Sequence, residues 1–121
     1  MKKFASIVAV GVMLAPSVIA QKNKVVTAYN YEKSYRERGQ KCIDLQKAKI
    51  AIDQAKDDAT TKTWAKTWYY RGNIYFNMLA SKDPACKNLS KNALDVAYDS
   101  YMKAIMLNFK DAELQKIELP H

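Results

Sequence analysis

Apolar residues recur three and four positions apart through most of this chain, the spacing that gathers side chains on one face of an α-helix. Between Lys24 and Arg38 the recurring positions are Val25, Val26, Ala28, Tyr31 and Tyr35, and Gly39 ends the stretch. A second stretch, Lys41 to Asp58, carries Ile43, Leu45, Ala48, Ile50, Ala51, Ile52 and Ala55, with lysines and aspartates on its other side. The polar run from Asp57 to Thr61 predicts a turn, with Thr60, Thr61 and Thr63 as N-cap candidates for a third helix over about Lys62 to Ala80. Pro84 lacks a backbone donor and biases Asp83 away from helical angles, so residues 81–88 read as a loop. Asn88 or Ser90 can then cap a fourth helix through Asn108, with Leu94, Ala97, Tyr98, Tyr101, Ala104, Ile105 and Leu107 expected on its buried side. Residues 110–121 read as a tail or partial helix, with Leu114, Ile117 and Leu119 ahead of Pro120.

The first twenty residues follow another pattern. Lys2 and Lys3 precede an uncharged, mostly apolar run from Phe4 to Ile19, and Val18 and Ala20 stand three and one before Gln21. That is the layout of a signal peptide, 1–20, cleaved before Gln21. The run is short for a membrane span and is interrupted by Pro16, so no stable membrane insertion is expected after cleavage. The mature chain is expected in a periplasm or outside the cell. Losing two lysines lowers its formal charge from +8 to +6. Export makes nucleic acid a poor partner for this basic chain, and lysines scattered along the helices read as a solvated face.

With only three Gly and three Pro in 121 residues, one all-α domain over 21–109 is the reading that composition favours. Periodicity leaves two architectures open, a closed four-helix bundle and two stacked antiparallel hairpins.

The third and fourth stretches carry a further pattern. The third contains Trp68, Gly72 four residues on and Tyr75 three further, and the fourth contains Ala97, Tyr101 and Ala104. In that order they resemble the two halves of a tetratricopeptide repeat. The resemblance implies two stacked hairpins, a short solenoid, in which Gly72 admits the partner helix, Ala97 and Ala104 keep the crossing close, and Trp68, Tyr75 and Tyr101 fill the space between. Three positions depart from the family: Arg71 stands for its usual Leu, Phe109 for its usual Pro, and Gly72 is 25 residues from Ala97. A fainter first repeat is carried by Ala28, Tyr35, Ala48, Ile52 and Ala55.

Catalytic chemistry is not suggested. The sole histidine is the terminal His121, so no histidine base, triad or metal cluster can be assembled, and no glycine-rich phosphate loop occurs. Asp53, Asp57 and Asp58 sit among lysines and read as solvated. No enzyme activity, cofactor or metal is expected. Cys42 and Cys86, in a chain bound for an oxidising compartment, are expected to pair.

Family resemblance implies a module that binds a protein or peptide segment in a helical groove. First helices of such hairpins line the concave side, which turns Lys66, Tyr69, Asn73, Phe76 and Asn77 toward the groove. Competing readings are a basic cell-envelope protein that binds polyanions, and the beginning of a longer solenoid. An incompletely covered outer face on the fourth helix predicts self-association or marginal stability.

Overall fold

A computed structural model describes residues 22–115, with side chains through Lys110; the expected signal peptide and residues 116–121 lie outside the described residues. Every regular element among them is helical. Residues 22–37 form α1, Cys42–Ala55 form α2, Ala65–Ala80 form α3, Pro84–Lys87 a single turn α4, and Ala93–Gln115 the long α5; a 3₁₀ turn, Thr61–Thr63, precedes α3.

The connections explain where the helix ends differ from those expected. Gly39 has φ +88° and Gln40 φ +54°, and the Gln40 amide donates to the Tyr35 carbonyl at 3.0 Å, closing α1 in a Schellman turn. The second helix stops at Ala55, short of Asp58, because Thr61 is drawn inward. Its hydroxyl donates to the Ala55 carbonyl at 2.6 Å, and Asp58 Oδ1 accepts from the Thr60 amide at 2.8 Å. Neither Thr60, Thr61 nor Thr63 caps α3. Trp64 holds that position with no side-chain bond, and the helix begins at Ala65.

Residues 81–88 are not all loop. Asp83 accepts from the Ala85 amide at 2.9 Å and Pro84 takes the first helical position, where its missing donor costs nothing, so α4 forms. Asn88 and Ser90 do not cap the fourth long helix. It starts at Ala93, with the Val96 amide closing onto the Asn92 carbonyl, and it runs past Asn108 to Gln115.

Helix α3 is the centre of the packing. Its interface with α5 is more extensive than that with α2. Both neighbours run antiparallel to it: Arg71 and Tyr75 meet Asp53 of α2, while Gly72 lies against Tyr101 of α5. Parallel to α3 runs α1, as the pairings of Tyr29 with Tyr70 and Glu32 with Asn77 require. The core is built from Val25, Ala28 and Tyr35 of α1, Leu45, Ala48, Ile52 and Ala55 of α2, Ile74, Tyr75 and Met78 of α3, and Ala93 and Ala97 of α5.

One link in this frame is covalent. Cys42 and Cys86 form a disulfide across a Cα separation of 5.1 Å, fixing the start of α2 to α4. The Asp83 carboxylate lies within 4.8 Å of both sulfurs, but those sulfurs are bonded to each other and the carboxylate caps α4.

Two faces differ from expectation. On α2, Ile43 and Ile50 are each about half exposed, since the core is reached by Leu45, Ala48, Ala51, Ile52 and Ala55. On α5 the buried positions are Ala93, Ala97, Ser100 and Ala104; Leu94, Tyr98 and Ile105 face water instead. Small residues bring α5 close to α3, and the large ones are rotated onto its outer side.

Candidate functional site

Tyr69, Asn73, Phe76 and Asn77 project from α3 toward α1, where Tyr29, Glu32 and Arg36 meet them. Together with Tyr70 they line an open notch of about 320 Å³ between the two parallel helices. Tyr69 is 52% exposed and Phe76 50%, so α1 does not cover them.

At the floor lies a carboxylate. Glu32 is buried, and its Oε2 accepts from Arg36 Nε at 2.6 Å and from Asn77 Nδ2 at 2.8 Å. The bond to Glu32 raises the Arg36 pKa and fixes the guanidinium at the rim, where its side chain is 45% exposed. Asn73 Oδ1 accepts the Tyr101 hydroxyl at 2.6 Å. Each amide therefore spends one end on the protein, Asn73 its oxygen and Asn77 its nitrogen. Tyr29 and Tyr70 have ring centroids 5.0 Å apart, and burial pushes the Tyr70 phenol above its ordinary pKa. The notch thus combines aromatic surfaces, amides and one oriented cation.

Lys66 belongs elsewhere. It lines a second, mostly apolar depression between α3 and α5 with Ala65, Tyr69, Tyr101, Ala104, Ile105 and Asn108. About two turns separate Lys66 from the Asn73 level of α3, and only Tyr69 borders both hollows.

Of the residues expected to pack α3 on its partner, Gly72, Ala97, Tyr101 and Ala104 meet at the α3–α5 crossing. A Cβ built on Gly72 would stand 2.6 Å from the Tyr101 ring, so the contact depends on glycine. Tyr75 is buried, but its hydroxyl turns to α2 and donates to Asp53 Oδ2 at 2.6 Å. Trp68 does not enter the core. It is partly exposed, donates to the Lys62 carbonyl at 2.7 Å, and carries Lys103 over its ring at 4.6 Å.

Asp53 is not the solvated residue its surroundings in sequence suggested. Arg71 Nε donates to its Oδ1 at 3.0 Å, Tyr75 and Lys49 donate to its Oδ2, and Arg71 continues to Ser100 of α5 at 3.2 Å. Burial alone pushes the Asp53 carboxyl up, but the bonds from Tyr75, Arg71 and Lys49 outweigh it and hold the group below the usual carboxylate range. Tyr75 is pushed up, first by burial and then by its bond to the carboxylate. Arg71, which departs from the repeat pattern, is thus the residue that ties α2, α3 and α5 together.

Tyr29, Glu32 and Arg36 were not singled out from sequence. A signal was available, because Glu32 and Arg36 stand four apart on α1 and Tyr29 stands three before Glu32, the spacing of one helix face. No helix among the described residues is long and apolar enough to cross a membrane. No protein-family model, no curated protein and no solved structure matches this chain.

Proposed function

We propose that this chain is an exported, tetratricopeptide-repeat-like interaction module that takes an extended protein segment in the notch between α1 and α3. The observation that carries the reading is the notch itself: two half-exposed aromatic rings, Tyr69 and Phe76, stand beside Asn73 and Asn77, each with one hydrogen-bonding end that has no partner among the described residues. Amides bond a peptide backbone while rings cover its side chains. Parallel, adjacent α1 and α3 support two stacked hairpins, because a notch on that side is open when no other helix closes it. Close approach at Gly72 and Tyr101 supports the same arrangement.

Arg36, held by Glu32, adds a cation that suits an acidic side chain on the bound segment. Polyanion binding through the lysines is the competing function, and ionic strength separates the two. Mature chain is used as bait in envelope extract, and the captured partner is then titrated at rising salt. Phe76→Ala and Tyr69→Ala are expected to weaken capture roughly tenfold each with helicity unchanged, since both rings lie outside the core. Asn73→Ala also weakens it but releases the Tyr101 hydroxyl, so its melting point is compared as well. Capture that survives both aromatic changes, or that vanishes with modest salt, refutes the notch.

A further inference from the structure

The outer side of α5 holds six of the twelve large hydrophobic residues exposed among the described residues. Leu94, Tyr98, Met102, Ile105, Met106 and Phe109 are each between 42% and 70% exposed and recur at three- and four-residue spacing over four turns of one helix. We infer that this face docks on the same face of a second copy, with the two α5 helices antiparallel about a two-fold axis beside Met102.

Three observations select this occupant. The first is area: the six side chains leave on the order of 700 Å² in water, close to the ~800 Å² per partner of a standard interface. The second is charge. Asp95 and Asp99 are exposed along the first half of the stripe and Lys103 and Lys110 along the second, so an antiparallel pairing sets these carboxylates against these ammonium groups twice over. A parallel pairing would set like ends together. The third is shape. With the axis at Met102, Tyr98 of one copy stands level with Met106 of the other, which with Met102, Leu107 and the charged Asp99, Lys103 and Lys110 lines an open hollow of about 440 Å³. A ring 63% exposed thus meets the flexible thioether of Met106, and both events occur by symmetry. The self-complementary pattern lies on one helix, away from the α1–α3 notch, and stands independently of the function proposed for it.

Sedimentation equilibrium from about 1 to 100 µM is expected to show a monomer–dimer equilibrium. Tyr98→Glu and Met106→Glu are expected to leave monomer with unchanged helicity, since both positions lie outside the core. Register is read by cross-linking in an otherwise native chain, whose own cysteines are already paired. Met102→Cys, next to the axis, is expected to give a covalent dimer on mild oxidation. Leu94→Cys is not, because eight residues place its two copies about 24 Å apart. A monomer across the whole concentration range overturns the inference, and so does a dimer that survives both glutamates. Equal cross-linking at 94 and 102, or open-ended multimers from head-to-tail stacking of hairpins, overturns the two-fold arrangement.

Discussion

Gly72→Ala puts the α3–α5 crossing to the test, because the two effects of the change pull in opposite directions. On an exposed helix the added methyl would stabilise by about 1 kcal/mol, the difference in helix propensity between alanine and glycine. Here it would lie 2.6 Å from Tyr101 Cδ1 and Cε1 and 2.9 Å from Cζ, distances no methyl can hold. The ring cannot swing aside freely, since its hydroxyl is bonded to Asn73 at 2.6 Å. Overpacking costs about 1 to 3 kcal/mol, and loss of the Tyr101–Asn73 bond adds about 1. Subtracting the propensity gain leaves a net loss of about 1 to 3 kcal/mol. For a domain of this size that lowers the melting temperature by roughly 4 to 24 °C, read by far-ultraviolet circular dichroism on mature protein. Tyr101→Leu in the same chain makes room for the methyl, so the double variant should lose less than the sum of the single ones. A Gly72→Ala protein that melts higher than the parent, or strict additivity with Tyr101→Leu, would refute the close crossing.

Two further predictions concern stability. Replacing both Cys42 and Cys86 by serine removes a link across 44 residues and should cost about 4 kcal/mol, measured by urea unfolding against the oxidised parent; equal midpoints would show the bridge to be inert. Asp53, with a carboxyl held below its ordinary value of 3.8, contributes stability that is complete above that value and is lost as pH falls through the lower folded-state value. Unfolding midpoints measured from pH 5 downward should therefore fall less steeply in Asp53→Asn, which has no proton to gain; parallel curves would place the titration elsewhere.

How much of this was legible in the sequence differs by element. The four long helices follow from spacing alone, and Gly39 announced its turn because only the left-handed region suits that position. Helix starts were less legible. Thr60, Thr61 and Thr63 have the chemistry of caps, yet Thr61 is buried with its hydroxyl on the Ala55 carbonyl, a tertiary use that local propensity does not encode. On α5 the apolar residues cover more than half the circumference, so periodicity could not say which arc would face α3; Ala97 and Ala104 decide it by allowing the close crossing. The α3 half of the notch was readable from helix geometry. Its α1 half required knowing that α1 and α3 are neighbours, and Lys66 was misgrouped because its position one turn earlier faces α5. Apart from Lys49, four residues before Asp53, the Asp53 cluster joins residues 18 to 29 apart, and those left one trace, an arginine where the repeat pattern has leucine.

The bond between Cys42 and Cys86 makes the chain a lasso. All of α2 and α3 lies within the closed circuit, while α1 enters it as one free arm and α5 leaves it as the other. Unfolding of either arm leaves the loop closed but uncovers the α2 and α3 core residues that the arm packs against. The notch and the uncovered stripe each depend on an arm: α1 supplies one wall of the first, and α5 carries the second. The stripe therefore lies wholly outside the disulfide-closed loop, and the notch joins one wall outside it, α1, to one wall within it, α3.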